Sequence, residues 1–339
     1  MIVPVFLPHL GCTEKCTYCD QRFITNPEES DLDSAIDRTL NTHKGPYEVG
    51  LFGGNIFGIK PAELRRLFSR FEPYRDRITN FRISTKPVPL SNEMNDILKA
   101  NGVSVIELGI PTFNDKILAK LNRRHSAMDL IKAFETLTGE GFHIALQFMT
   151  GLPDETMADI ETTVEHMVTL KPHYIRIYPL VVFANTPLGS MYTKGLFTPS
   201  SFEIVLDRAV YVYLNALKRD IPVVKIGLTD NEVIKKNILA GQYHSAYGFM
   251  VRSRAFYLAV MAKLCLLPTA GKQITVYLNN RDIPHLLGHK RMNIDCLAGE
   301  GISVRWETTE IDTHNFILQC GAQSVNGTLL DALEMFSTL

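Results

Sequence analysis

Three cysteines fall within eight residues near the start of the chain: Cys12, Cys16 and Cys19, spaced Cys-x3-Cys-x2-Cys. Thiolates this close in one irregular loop can converge on one metal centre. A cubane iron–sulfur cluster has four irons and is usually held by four cysteines. Three cysteines leave one iron open. An open iron can chelate the amino and carboxylate groups of S-adenosylmethionine (SAM) and pass an electron to its sulfonium. Homolysis then gives a 5′-deoxyadenosyl radical, so the cofactors on this reading are a 4Fe–4S cluster and SAM, in an oxygen-sensitive centre. On spacing alone two other readings stay open: a structural zinc site with His9 as fourth ligand, and chance clustering.

The other cysteines, Cys265, Cys296 and Cys320, are scattered. They read as buried core residues, and none is an obvious quencher of a radical. A long chain with so few cysteines is not a secreted disulfide framework. The 339 residues suggest about two domains and allow a sizeable core without staples. Formal charge is -1, and from Gly227 onward ten Lys+Arg face ten Asp+Glu. Neither figure points to nucleic acid or an anionic membrane. Leu10-Gly11-Cys12 imitates a lipidation site, but no basic segment precedes it, and Pro4, Pro8 and His9 interrupt the apolar stretch. Lys263 interrupts the best apolar run, Ala255 to Leu267, so no membrane span is expected. The expected location is cytoplasmic.

The elements that must position the cysteines alternate. Strands are expected at Ile2–Leu7, Glu48–Phe52, Phe81–Thr85, Val103–Ile110, Ile144–Met149 and Tyr174–Tyr178. Helices are expected at Asp31–His43, Pro61–Tyr74, Asn92–Asn101, Asp115–Leu121, Ala127–Glu140, Met157–Leu170 and Ser201–Lys218. Six strand–helix units in a row call for a parallel sheet, because parallel strands need crossover connections. The fold class is α/β, a partial (β/α)6 TIM-like barrel over residues 1–225, with chemistry at the C-terminal strand ends. The rhythm breaks near Ile226, and residues 226–339 read as a smaller α+β extension. There 230–265 looks helical, strands are expected at Ile274–Leu278 and Ser303–Trp306, and helices near Asp282–Leu287 and Leu329–Phe336. Gly288-His289-Lys290-Arg291 reads as a helix start. An RNA-clamping Gly-x-x-Gly loop would need glycine where Arg291 stands.

The cysteine spacing, with aromatic Tyr18 before the last cysteine, resembles the signature of the radical SAM superfamily. The wider sequence resembles its Elongator-type members, and more distantly oxygen-independent coproporphyrinogen oxidase. Val5–Cys12, Phe52-Gly53-Gly54, Glu107–Ile110, Asn122-Arg123-Arg124-His125, Gly151-Leu152-Pro153 and Arg176–Pro179 carry the likeness, over roughly residues 2–200. Ala240–Gly248 resembles the C-terminal extension of a bacterial subgroup that lacks the Elongator acetyltransferase domain.

The resemblance implies that Cys12, Cys16 and Cys19 ligate the cluster and that Phe6 and Tyr18 pack near SAM. It implies that Gly53 and Gly54 lie along the methionyl group, with Asn55 beside them. Ser84 and Gln147 fall at positions near the ribose, Lys86 lies next to Ser84, and Arg123 falls where an arginine pairs with the SAM carboxylate, a bidentate match. Arg176, between Ile175 and Ile177, needs an anionic partner, which SAM or substrate can supply. The chain departs from the family at Asn55, at Pro111-Thr112, and at Ser84 and Gln147, where carboxylates are lost, so SAM is expected to be held more weakly or differently. The implied function is hydrogen abstraction from a substrate the sequence does not name, with tRNA uridine one candidate. The implied partner is a low-potential electron donor, flavodoxin or ferredoxin. The alternative is a non-catalytic, cluster-bearing RNA-binding or redox-sensing module.

Overall fold

The structure, a computed structural model, describes residues 1–21, 32–230, 232–268 and 273–336. Its first elements are β1 (Ile2–Phe6), α1 (Leu32–Asn41), β2 (Tyr47–Phe52), α2 (Pro61–Ser69), β3 (Ile78–Thr85), α3 (Asn92–Ala100), β4 (Val103–Gly109), α4 (Asp115–Lys120) and α5 (Ala127–Gly139). Then come β5 (His143–Thr150), α6 (Met157–Leu170), β6 (Tyr174–Pro179), β7 (Val181–Phe183), α7 (Pro187–Thr193), α8 (Phe202–Lys218), β8 (Val223–Ile226), α9 (Glu232–Lys236) and β9 (Ile238–Gly241). The chain ends with α10 (Tyr247–Leu264), β10 (Gln273–Leu278), α11 (Ile283–Leu287), α12 (Met292–Gly299), β11 (Ser303–Thr308), β12 (Asn315–Cys320), β13 (Gln323–Thr328) and a 3-10 run, Leu329–Phe336. Two compact units form: Met1–Ser200 with Thr229–Gln242, and Ser201–Leu228 with Tyr243–Leu339.

In the first unit β1 to β6 lie side by side in sequence order, each parallel to the next. The period of two assigns their faces. Val49, Leu51, Phe81, Ile83, Ile106, Leu108, Leu146, Phe148, Ile175 and Ile177 are buried. Phe81 receives Phe68 of α2 and the following Phe71 edge-on, at 5.3 and 5.2 Å. The opposite face carries Glu48, Arg82, Ser84, Glu107, Gln147 and Arg176, and is polar. Local signals set the helix starts. Ser91 caps α3 through the Met94 N–H, and capping boxes Ser126/Asp129 and Thr156/Asp159 open α5 and α6. The expected start of the first helix, Asp31, lies outside the described residues.

The helix expected over 230–265 is interrupted. Only Glu232–Lys236 and Tyr247–Leu264 are helical, and between them β9 pairs antiparallel with β7. At Gly241, the last residue of β9, the φ is +91° and the missing Cβ would stand 2.6 Å from the Leu180 carbonyl, so the chain can lie close against β7 there. The Gln242 N–H then donates to that same carbonyl.

In the second unit α8 packs on α10, and a four-stranded sheet runs β11-β10-β12-β13. β10 and β11 are parallel and the other pairs antiparallel. The sequence reading missed β12 and β13, whose hairpin turns through Gly321 at φ +61°. It read Leu329–Phe336 as a helix, and the segment is a 3-10 run. It also placed Cys265 and Cys296 in the core, yet both are exposed, one capping α10 and one on the outer face of α12, while Cys320 is buried. His289–Arg291 form a 3-10 turn leading into α12. No helix among the described residues is long and apolar enough to cross a membrane.

Candidate cluster and SAM site

The cysteine loop leaves the end of β1 and is tied to the loop after β2. His9 N–H donates to the Gly53 carbonyl at 2.9 Å, and Asn55 N–H to that of Leu10 at 2.7 Å. Gly54 permits this approach, since a Cβ there would lie 2.7 Å from the Leu10 carbonyl. Gly53 supplies a φ of +87°. Cys16 is buried, Cys12 and Cys19 are half-buried, and all three are free thiols. Burial and then the charge of Cys16 push the Cys19 thiol up to about 12, with Arg123 opposing. Burial and Cys16 also raise Cys12, against Lys86 and Arg123. Burial raises Cys12 and Cys19, and a cationic metal centre offsets that cost, because it pulls the protons off thiols that it binds.

The zinc alternative loses its fourth ligand. His9 Nε2 accepts the Gln21 N–H at 3.0 Å and lies 3.7 Å from the Asp20 carboxylate. Among the described residues no three His, Cys, Asp or Glu side chains are grouped to share one ion. A cubane does not ask for that, since each of its thiolates binds a separate iron.

Arg123 lies behind the loop. Its Nη2 donates to the Tyr18 hydroxyl at 3.1 Å, while Nε and Nη1 are buried with no protein partner. Two uncapped guanidinium donors are costly, and they fit a ligand carboxylate. Tyr18 also packs on an apolar cluster that includes Leu121, Leu180 and Leu188. Phe6 sits 6.2 Å from the Phe52 ring. Asn55 is buried, and its carbonyl already accepts from Thr85 Oγ1 at 2.8 Å and Lys86 N–H at 3.0 Å. Lys86 Nζ donates to the Glu14 carbonyl at 3.0 Å.

The polar sheet face is a closed hydrogen-bond network around Glu107, which is fully buried. Its Oε1 accepts from Tyr174 OH at 2.6 Å and Arg176 Nη2 at 2.8 Å, and its Oε2 from Gln147 Nε2 at 2.6 Å. Arg82 donates to the Tyr174 hydroxyl at 2.6 Å and grips Glu48 bidentately at 2.8 and 2.6 Å. Ser84 touches the network only through Gln147, at 3.5 Å. The anion that Arg176 needs is therefore a protein carboxylate. Its Nε is buried without a partner, and its guanidinium stacks 5.1 Å from the Phe52 ring. Glu107, Arg82, Glu48 and Tyr174 are functional neighbours that carry no role in the sequence motifs. A readable signal was there: unlike charges recur on strands whose other residues are apolar.

A cavity of about 520 Å³ opens beside the cysteine loop, with Glu14, Asn55, Lys86, Arg123, His125 and Lys132 in its wall. It unites three expected site residues, Asn55, Lys86 and Arg123. Phe6, Gly53, Gly54, Ser84, Gln147 and Arg176 are not in its wall. His125 was also unassigned by sequence. Burial, then Arg123 and Lys86, hold its imidazole down to about 4, so it is neutral at physiological pH.

The chain is 28% identical over 197 residues to the heme chaperone HemW of Bacillus subtilis, covering 54% of this chain and 52% of that one. It is 29% identical over 163 residues to the tRNA uridine(34) acetyltransferase of Methanocaldococcus infernus, covering 44% and 30%. It thus spans about half or less of the length of these curated relatives. The solved structure of Methanocaldococcus infernus Elp3 shares the fold, with a TM-score of 0.56 at 20% identity over 75% of this chain and 62% of that one. The family model described as the Radical SAM superfamily matches residues 6–167, and that of the Radical_SAM C-terminal domain matches 172–256. With matched models over most of its length and three thiols on the loop after its first strand, the chain belongs to the radical SAM superfamily, which works with a 4Fe–4S cluster and SAM.

Proposed function

We propose that this protein is a radical SAM enzyme that abstracts hydrogen from a substrate at the C-terminal strand ends. The observation that carries the reading is the cysteine loop, three free thiols within eight residues after β1, backed by the uncapped guanidinium of Arg123. When bound, the cluster and SAM supply reductive cleavage of the sulfonium to a 5′-deoxyadenosyl radical. Cys12, Cys16 and Cys19 hold the cluster. Arg123 Nε and Nη1 orient the SAM carboxylate, Gly53 and Gly54 offer bare backbone to the methionyl group, and Phe6 and Tyr18 exclude water. Ser84, Gln147 and Arg176 border the ribose from the Glu107 network, and Lys86 and Asn55 close the cavity wall. A low-potential donor of the flavodoxin or ferredoxin kind supplies the electron. The acetyltransferase likeness supports tRNA as a substrate class, and the neutral charge balance from Gly227 onward weighs against it.

Anaerobic reconstitution tests the reading. Dithionite and SAM should yield 5′-deoxyadenosine, and Cys16→Ser should abolish both the cluster absorbance and the product. An intact cluster with no 5′-deoxyadenosine would overturn the enzyme reading.

A second reading has its own support. Asn55 Oδ1 and Gln147 Nε2 are already hydrogen-bonded inside the protein, and relatives are named heme chaperones. On this reading the chain is a cluster-bearing module that handles heme without turning SAM over. Stoichiometric heme binding, seen as a Soret band retained through gel filtration, together with no 5′-deoxyadenosine, would select it.

A further inference from the structure

Resting on the reading that Cys12, Cys16 and Cys19 hold a cluster, we propose that the turn Leu121–Arg124 is a clamp that positions the cysteine loop. The turn follows α4 and reaches the loop at successive points. Asn122 Nδ2 donates to the Lys15 carbonyl at 2.9 Å. The Leu121 carbonyl accepts the Thr17 N–H at 3.1 Å. Arg123 Nη2 donates to the Tyr18 hydroxyl at 3.1 Å, and Arg124 Nη1 meets the Glu14 carboxylate at 2.8 Å. From the other side, Leu188 N–H at the start of α7 donates to the Thr17 carbonyl at 2.9 Å.

Between Cys12 and Cys19, then, Glu14, Lys15, Thr17 and Tyr18 are each fastened to one four-residue turn. Asn122 is the pivot. Its φ of +55° lies in the left-handed region, which asparagine tolerates better than most residues. That conformation turns the chain back after α4 so that consecutive residues present carbonyl, amide and guanidinium to the loop. Groups that fix the ligand-bearing backbone act on a metal centre as outer-shell partners do: they hold the donors in place and slow their release. Asn122 and Arg124 are therefore positioning residues. Arg123 joins its expected ligand role to a fastening one, through a different nitrogen.

The test is the rate at which a ferrous chelator strips iron from the reconstituted, anaerobic protein, followed by loss of cluster absorbance. Asn122→Gly keeps the left-handed backbone and removes the donor. Asn122→Asp keeps the volume and replaces the donor with an acceptor. Each should release iron roughly two- to tenfold faster than the native protein, the equivalent of one lost hydrogen bond. The melting temperature of the cluster-free protein should hardly move, which separates loop positioning from general destabilisation. If Asn122→Gly fails to fold, Asn122→Asp and the surface change Arg124→Gln carry the test. Native release rates in the Asn122 variants would overturn the clamp and leave the enzyme reading intact. A native protein that takes up no cluster by Mössbauer spectroscopy would overturn both.

Discussion

At the scale of single residues, Glu107 decides more than its position in the sequence suggests. It is one carboxylate with no exposure, and it takes hydrogen bonds from Tyr174, Arg176 and Gln147. A buried ion pair is a poor source of net stability, because desolvation cancels much of the attraction. Removing one partner is a different matter, since it strands the other charge. Glu107→Ala should therefore destabilise the fold by about 3–5 kcal/mol in urea unfolding, and Glu107→Gln by less, because it still accepts at one oxygen. A paired change of Glu107 and Arg176 to apolar residues should cost less than the two single changes summed. Additivity of the two would show that they do not act as a pair. The same carboxylate fixes where Arg176 and Gln147 point, so Glu107→Gln should also alter SAM affinity in equilibrium dialysis.

At the scale of elements, β9 is the surprise. Ile238–Gly241 reads as helix, because the stretch 230–265 as a whole carries a helical pattern despite Gly241 and Gly248. What overrides that propensity is a partner 55 to 60 residues earlier in the chain, β7, which local spacing cannot reveal. Gly241 is where the override is anchored. Gly241→Val must adopt a φ of +91° and push a Cβ against the Leu180 carbonyl, at a cost of roughly 3 kcal/mol. Proteolysis should then cut first between Thr229 and Gln242, and protection equal to the native protein would show that the strand tolerates a side chain. The six core strands are readable because β-branched and aromatic residues recur in each and turn signals bound some of them, as Gly102 does before Val103–Gly109. β12 and β13 were not, because β13 is mostly exposed and carries a glycine within it, so its alternation is weak. In the site, the cysteine triplet and the glycine pair were legible as motifs. The Glu107 network was legible only as unlike charges on apolar strands; its pairings were not, because its members are spread over β2 to β6 and meet only across the folded sheet.

At the scale of the whole molecule, histidines whose charged forms are disfavoured by partial desolvation give the fold a pH dependence of defined sign. Burial is the largest cause lowering His125, to about 4, and also His166, His173 and His244. They sit in unlike places. His166 stacks on Phe113 at 4.3 Å, His173 on His143 at 4.6 Å, and His244 lies edge-on to His289 at 4.9 Å. Arg123 and Lys86 add to the effect at His125, as His143 and Arg82 do at His173. In the unfolded chain each imidazole titrates near 6.5. The unfolded state therefore binds more protons than the folded one as pH drops below that value, and stability falls with it. For His125 the loss continues towards pH 4 and levels off below. Carboxylates held low, such as Asp129, Glu140 and Asp282, add their own losses only at the acid end of this range. Between about pH 6.5 and 5 the histidines act nearly alone. The urea midpoint of the cluster-free protein should therefore drop from pH 7.5 to pH 5.5, and His125→Gln should remove part of that drop while changing the pH 7.5 value little. A midpoint flat across this window would mean that the imidazoles ionise inside the fold as easily as outside it. A drop of native size in His125→Gln would assign the loss to the other three.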